Sequence, residues 1–269
     1  MSDSSFSEID EETQNKTIPS ELTLDSVPMC RFSGNSTIKC VNILSEAESI
    51  GMGAFKECYN LKKANIAGGV KIIKGQAFKE CDSLEEVIIE EGVTTIEFGA
   101  FIDCHNLKKL SLPDSIKYIG DMAFFGCDGL CDENGMFIFK NILFYYRDKS
   151  RNHSKKNGEI IIPDGITHIA NGTFDYFGLA SLFNSKNWTV TIPESVQYIG
   201  QRTFQFKNVT IIAPQGSYAE KYAKKHQIKY CANGKAANKN QNKGTHSIHI
   251  DIPANIKKTL LDFKSLLDF

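Results

Sequence analysis

The sequence lacks the features that usually mark a nucleic-acid-binding or membrane-spanning chain. Its 269 residues include one tryptophan, and 31 Lys and Arg stand against 32 Asp and Glu, for a formal net charge of −1. Neither sign of charge dominates, whereas a nucleic-acid partner requires clustered cations that displace counterions from phosphate. No stretch approaches the roughly 18 consecutive apolar residues of a membrane span. We therefore expect no nucleic-acid partner and no transmembrane segment.

Catalytic and cofactor motifs are also missing. The sequence has no G-x-S-x-G nucleophile elbow, no Walker A loop, no H-E-x-x-H helix and no EF-hand loop. Gly51 and Gly53 begin like a dinucleotide-binding loop, but Lys56 stands in place of the last glycine. We expect a chain that is not an enzyme and that holds neither a cofactor nor a metal ion.

What the sequence does contain is a repeat of 23 residues. It is marked most clearly by a phenylalanine and, three places later, a cysteine: Phe55, Phe78, Phe101 and Phe124, and Cys58, Cys81, Cys104 and Cys127. A period of this length with L-x-x-L-x-L spacing, as in Leu107, Leu110 and Leu112, is typical of a leucine-rich solenoid. The predicted fold is a repeat solenoid of the leucine-rich-repeat type. It would have mainly short parallel β-strands with helical turns, in a single elongated, curved domain.

The repeat unit resembles the BspA-type leucine-rich repeats of bacterial and protist surface proteins. Residues 112–127 reproduce the unit Ile-Pro-x-x-Val-x-x-Ile-Gly-x-x-Ala-Phe-x-x-Cys almost throughout. Copies that begin at Ile162 and Ile192 keep the first half and lose the cysteine. The resemblance covers about residues 41–231, and it implies adhesion or protein recognition rather than catalysis.

The repeated cysteines can be interpreted in two ways. They stand at a turn where a small apolar side chain packs inside the coil, which predicts buried free thiols. Neighbouring rungs, about 4.8 Å apart, are also close enough for disulfides. Equivalent side chains in a stacked ladder point the same way, however, so free thiols are favoured over disulfide or metal use.

The chain divides into four segments by composition. Residues 1–30 are polar and nonperiodic and predict a disordered leader, and residues 31–231 predict the solenoid. Within it we expect a β-hairpin insertion at about 131–157 and a C-terminal cap at about 214–231. Residues 232–248 predict a flexible linker and residues 249–269 an amphipathic helix. The strand centres are expected at Ile43, Ile66, Ile89, Leu112, Ile162, Ile192 and Ile211.

The C-terminal helix would place four apolar residues on one face: Ile256, Leu260, Phe263 and Leu267. This face could pack back on the solenoid, dock on another chain, including a second copy, or lie on a membrane surface. The acidic N-terminus does not read as a secretory signal, so at face value the chain is cytoplasmic. Removal of a leader would instead make it secreted or surface-bound.

Charges on the outward side of the predicted strands alternate from rung to rung. Lys62 and Lys63 are followed by Glu85 and Glu86, and these in turn by a further lysine pair. Stacked strands bring such opposite charges together, which favours a self-complementing stripe over a binding patch.

The last rungs are mainly uncharged, and here we place the candidate partner-binding residues: Trp188, Thr189, Thr191, Lys207 and Asn208. If Asn187, Val190 and Ile192 face inward, Trp188 faces outward and offers an aromatic anchor. The alternative is that neighbouring residues fold over the indole and bury it. The predicted function is noncatalytic recognition of another protein, in an adhesion-like or scaffolding role. The alternatives are a structural spacer oligomerised by the C-terminal helix and a carbohydrate-binding surface module.

Overall fold

Short strands alternate between two sides of a coil in the computed structural model, which describes residues 21–148, 157–174, 187–204 and 208–232. In chain order the elements are β1 (Glu21–Leu24), β2 (Cys40–Ile43), β3 (Ser49–Ile50), β4 (Lys63–Ile66), β5 (Ile72–Ile73), β6 (Glu86–Ile89), β7 (Thr95–Ile96), β8 (Lys109–Ser111), β9 (Tyr118–Ile119), a 3-10 turn (Asp128–Leu130), β10 (Met136–Phe139), β11 (Ile142–Tyr146), β12 (Asn157–Ile161), β13 (His168–Ile169), β14 (Asn187–Thr191), β15 (Tyr198–Ile199), β16 (Val209–Ala213), α1 (Tyr218–Lys225) and β17 (Lys229–Ala232).

The strands form four sheets, two on each side of the coil. The first side has the parallel sheets β1-β2-β4-β6-β8 and β12-β14-β16-β17. The second side has β3-β5-β7-β9 and β10-β11-β13-β15. Parallel strands in sequence order on each side confirm the predicted solenoid of the leucine-rich-repeat type. Helix is confined, in the described ranges, to the 3-10 turn and α1.

Side chains alternate along each strand, so one set fills the coil. In β4 and β6 the inward Ala64, Ile66, Val87 and Ile89 are buried, and the outward residues are half-buried. The Cα partners keep the 23-residue register, with Ala64 opposite Val87. Each rung therefore buries its apolar side only against its neighbours, as the repeat predicts.

The structure corrects the predicted end of the polar leader. Residues 21–30 are not disordered: Glu21 and Leu22 belong to a strand that pairs with β2, and Val27 bridges to Ile50 and is 4% exposed. The ladder also begins one unit earlier than residue 41, because Phe32 stacks on Phe55. The apolar side chains of a rung are buried only when neighbours pack on both sides, so the residues before the first complete unit pack against it.

The phenylalanines form a continuous stack inside the coil. Consecutive rings from Phe32 to Phe124 are nearly parallel, with centroids 5.1 to 5.5 Å apart. The stack ends at Phe137, whose ring meets Phe124 edge-on at an interplanar angle of 75°. Offset stacking of this kind adds to the free energy of burial, and the three inner rings, Phe55, Phe78 and Phe101, each have two such neighbours.

In the N-terminal units, each turn that follows a second-side strand has a positive φ angle at two positions. The φ angles are positive at Gly53, Gln76, Gly99 and Met122, and again at Glu57, Glu80, Asp103 and Gly126. Non-glycine residues occupy five of these eight positions, at a cost in conformational energy. Neighbouring turns compensate with a backbone ladder, as where Phe78 N donates to Ala100 O at 2.7 Å.

Strands β10 and β11 form an antiparallel hairpin that separates two hydrophobic cores. Phe137 and Tyr145 pack with the first core, whereas Met136, Leu143 and Tyr146 pack with the second. Strand β11 pairs in parallel with β13, so it takes a place in the second side of the coil. The insertion thus joins an N-terminal stack (β1 to β9) to a C-terminal stack (β12 to β17).

The C-terminal stack ends in α1. The Ser217 hydroxyl accepts from Glu220 N at 3.2 Å, and the Glu220 carboxylate accepts from Gly216 N, which together form a reciprocal N-terminal cap. Ala219 and Ala223 are fully buried against the last rungs. The expected linker at 232–248, apart from Ala232, and the expected helix at 249–269 with its apolar face lie outside the described residues. Within the described ranges, no helix is both long and apolar enough to cross a bilayer.

Candidate protein-binding face

Outward side chains of β12, β14 and β16 lie in rows across the C-terminal stack, and we call this surface the C-terminal face. The rows are Asn157, Asn187 and Asn208; Glu159, Thr189 and Thr210; and Ile161, Thr191 and Ile212. Glu159 is the one charged residue among them. The face is therefore a flat, largely uncharged β surface on a rigid parallel sheet.

Trp188 does not belong to this face, and its predicted outward orientation is wrong. The residue is 2% exposed and packs in the second core with Val190 and Ile192. The prediction placed Asn187 at the inward turn position, but β14 begins at Asn187 and is already extended there. In an extended strand, sides alternate strictly, so Trp188 shares the inward side with Val190.

Gly158 is what makes room for the indole. It lies opposite Trp188 in the register of β12 and β14, and a Cβ at this glycine would overlap the six-membered part of the indole ring. The burial is thus provided by the neighbouring strand, in addition to any cover from residues outside the described ranges. The 30-residue separation between glycine and tryptophan matches the longer C-terminal unit, and this signal was present in the sequence.

The other candidate residues are placed as follows. Thr189 and Thr191 face outward and are half-buried, and Asn208 is exposed. Asn208 O accepts from Trp188 N at 2.8 Å, so Asn208 adjoins the start of β14. Lys207 lies outside the described residues. The structure therefore brings Thr189, Thr191 and Asn208 onto one face and removes Trp188 from it.

Sequence reasoning missed the most exposed apolar residue of the C-terminal face. Ile161 is 61% exposed, although its neighbours Ile160 and Ile162 are each 2% exposed. Alternation along β12 requires this outcome, because two inward isoleucines leave the one between them outward. Ile161 supplies the accessible apolar area that Trp188 does not.

Outward charges of the N-terminal stack pair with one another in part. Lys63 Nζ lies 3.1 Å from a carboxylate oxygen of Glu86, and Glu86 stands opposite Lys109 in the register. Asn65 Nδ2 donates to Asn42 Oδ1 at 2.6 Å in the next row. The Lys63–Glu86 pair agrees with the predicted charge stripe, whereas Asn65 Oδ1 is buried without a hydrogen-bond partner among the described residues.

The repeated thiols lie inside the coil. Cys58, Cys81, Cys104 and Cys127 are fully buried, and all eight cysteines are free. Each of these four Sγ atoms donates to the carbonyl of a phenylalanine 26 residues earlier, at 3.0 to 3.1 Å. Burial raises the pKa of Cys58 to about 12 and holds the pKa values of Cys81 and Cys104 well above the ordinary thiol range. Such thiols are poor nucleophiles. Among described residues, no three His, Cys, Asp or Glu side chains are placed to hold a metal ion.

Comparison with known proteins agrees with this architecture. A family model described as the BspA type leucine rich repeat region matches in six copies, over residues 1–131 and 137–242. No curated protein matches the sequence. The chain is also similar, at low identity, to several solved structures, of which three are described below.

The first is the T. pallidum leucine-rich repeat protein, with 19% identity, a TM-score of 0.43 and coverage of 79% of this chain and 85% of that one. The pneumococcal vaccine antigen PcpA has 19% identity, a TM-score of 0.47 and coverage of 76% and 55%. A leucine-rich cell surface protein from Faecalibacterium prausnitzii has 21% identity, a TM-score of 0.35 and coverage of 73% and 70%.

Proposed function

The chain belongs to the BspA-type leucine-rich repeat family, and from this premise we propose that it is a noncatalytic module. It recognises another protein through the outward surface of its solenoid, in an adhesion-like or scaffolding role. Solenoids of stacked repeats present extended surfaces on a rigid core, and such surfaces are what repeat proteins use for binding.

The observation that carries the proposal is the exposure of Ile161 on a face whose one charged residue among the rows is Glu159. The isoleucine is 61% exposed. Thr191, which stands opposite it on β14, and Ile212, which stands opposite Thr191 on β16, carry no charge. Charged residues are depleted from interface centres, and the burial of an exposed apolar side chain there stabilises a complex. On the N-terminal stack, by contrast, Lys63 and Glu86 already satisfy each other.

A matched pair of surface variants tests the proposal. The immobilised full chain is incubated with lysate and with intact cells, crosslinked, and the captured proteins are quantified by mass spectrometry. Thr189→Arg places a charge at the centre of the C-terminal face, whereas Thr23→Arg makes the same change on the exposed side of β1. We expect the first variant to lose the wild-type partner and the second to keep it. Equal capture by both variants would refute the assignment to this face.

The spacer alternative depends on residues 249–269. Light scattering of the full chain and of a chain that ends at residue 248 measures whether these residues oligomerise the protein. A monomeric full chain that captures a partner supports the recognition module. An oligomer that dissociates on truncation and captures nothing supports the spacer.

A further inference from the structure

We propose that the free edge of β8 (Lys109–Ser111) is a second docking site, at which one extended peptide adds to the sheet as a parallel strand. The peptide carries an acidic residue followed by apolar residues at alternate positions. The proposal does not depend on the C-terminal face, because it concerns a different strand and a different stack.

The edge is free because the insertion interrupts the sheet. Strands β2, β4 and β6 each pair on both sides, but β8 pairs with β6 and with no other strand of the described ranges. The exposure agrees with this. Lys109 and Ser111 are exposed and Leu110 is half-buried. In β6 the residues opposite Lys109 and Ser111 are half-buried, and the residue opposite Leu110 is fully buried. An unpaired parallel strand with accessible backbone is a template for strand addition.

The backbone groups on this edge can be assigned from the ladder. Lys109 N donates to Glu85 O at 3.1 Å, so Lys109 turns its N–H toward the N-terminal neighbour. Successive residues of a strand direct their backbone N–H and C=O groups to opposite sides. The N–H groups of Leu110 and Leu112 therefore point to the free edge. The counterpart of Leu112 in the C-terminal stack, Ile162, uses its N–H in this way and donates to Thr191 O at 2.9 Å.

The side chains of the last two rungs define what the incoming strand carries. Lys63 contacts Glu86 at 3.1 Å, and Glu86 stands opposite Lys109. The next position in this row therefore favours an acidic residue, and among described residues Lys109 has no ion pair with another side chain. The half-buried Leu110 requires an apolar neighbour, as Ala64 has in Val87. Strand β6 already shows that such a pattern, Glu86 followed by apolar residues, docks beside a strand that begins with lysine.

The surface beside this edge carries both signs of charge. An open depression of about 340 Å³ runs along the paired strands β6 and β8, and its lining residues include Glu86 as well as Lys108 and Lys109. A strand added beyond β8 would meet the unpaired backbone of β8 and the side chain of Lys109.

The test uses a labelled peptide with the sequence of residues 83–91, which contains Glu86, and a partner peptide in which this glutamate is replaced by lysine. Fluorescence anisotropy measures both peptides against the full wild-type chain, against Lys109→Glu and against Lys62→Glu. The last variant makes the same charge change two rungs away from the edge strand, beside β4, and thermal unfolding verifies that both variants are folded.

We expect the wild type to prefer the acidic peptide by about 2- to 5-fold, which corresponds to a cross-strand charge pair of up to about 1 kcal/mol. Lys109→Glu should reverse the preference, and Lys62→Glu should keep it. Amide exchange should slow at Leu110 and Leu112 when the acidic peptide binds. An equal loss of binding in both variants would show that only the net charge of the protein matters. Saturable binding without slower amide exchange at Leu110 would show that the peptide binds elsewhere. Either result, or no saturable binding, would overturn the proposal.

Discussion

The side-chain amide of Asn171 donates to a carboxylate oxygen of Asp121 at 2.7 Å, across 50 residues of sequence. Asp121 follows the last second-side strand of the N-terminal stack, and Asn171 follows β13 in the C-terminal stack. Asn171 Oδ1 also accepts from Gln201 N at 2.6 Å. One amide therefore links three turns and joins the two stacks at the place where the hairpin interrupts the repeat.

Removal of this amide should uncouple the stacks. Asn171→Ala leaves the Asp121 carboxylate, whose pKa burial already raises, without its side-chain donor, and should cost about 1–3 kcal/mol. Urea unfolding is followed by Trp188 fluorescence for the C-terminal stack and by far-UV circular dichroism for the whole chain. We expect coincident transitions in the wild type and separate ones in the variant.

The matched control is Asn60→Ala, which removes a bond from Asn60 Nδ2 to Ser36 O at 2.6 Å within the N-terminal stack. Its two transitions should remain coincident. If the two probes also coincide in Asn171→Ala, the amide does not couple the stacks.

The buried thiols should resist labelling in the folded protein. Burial raises the pKa of Cys58 to about 12, so almost no thiolate forms near pH 8, and its side chain is inaccessible. Cys30 and Cys231 are exposed and should react first with a maleimide. Mass spectrometry of the digested protein locates the label. Rapid labelling at Cys81 or Cys104, or a lower urea midpoint in reductant, would contradict the assignment of buried free thiols.

The phenylalanine stack should carry much of the stability of the N-terminal stack. Phe101 is fully buried between Phe78 and Phe124, with centroids 5.1 and 5.5 Å away, so Phe101→Ala should cost about 3–5 kcal/mol. Phe98 lies in the same unit and is 47% exposed, and Phe98→Ala should change the free energy of unfolding by about 0.5 kcal/mol or less. Similar urea midpoints for the two variants would show that the register is wrong.

The single tryptophan should emit from an apolar environment. Trp188 is 2% exposed against Gly158, so its emission should be blue-shifted and resistant to iodide. Gly158→Val forces the ring aside and should shift the emission to the red and lower the melting temperature. Thr189→Val changes an outward neighbour and should leave the emission unchanged. A quenchable, red-shifted emission in the wild type would restore Trp188 as an exposed anchor.

His105 should titrate above its ordinary pH range. The Asp128 carboxylate, 3.7 Å from its Nδ1, raises the pKa of His105, and Gly126 O, 2.8 Å away, adds to the effect. A raised pKa means that protonated His105 stabilises the fold below the unfolded pKa, and that this contribution is lost as the pH rises through the folded pKa. Asp128→Asn should lower the pKa measured by NMR.

The internal reference for this titration is His168, whose pKa burial lowers and which does not contact Asp128. Its titration should be the same in both proteins. A His105 pKa that is unchanged by Asp128→Asn would show that the carboxylate is not the cause.

Sequence reasoning located the fold accurately and the site only in part. The interval between Phe55 and Phe78 defines the register. The inward residues that depend on it are buried up to Leu107, whereas Leu110, Leu112 and Ile119 in the last rung are half-buried. The same interval leads back from Phe55 to Phe32, which lies within the predicted solenoid but before the first predicted strand centre at Ile43. Thr189 and Asn208 lie on the expected face, but Trp188 does not, because the extended part of β14 begins earlier than the corresponding strand of the N-terminal units.

The repeat by itself determined the solenoid, the inward phenylalanines and the buried thiols, because each unit meets the same neighbours and local spacing decides which side chains are covered. Tertiary structure alone decided where the ladder stops. The free edge of β8 and the burial of Trp188 depend on contacts between distant segments, such as Asn171 with Asp121 and Trp188 with Gly158. The 23-residue period does not encode these contacts, because the β10–β11 hairpin interrupts the repeat and Gly158 and Trp188 are separated by the 30 residues of a longer unit.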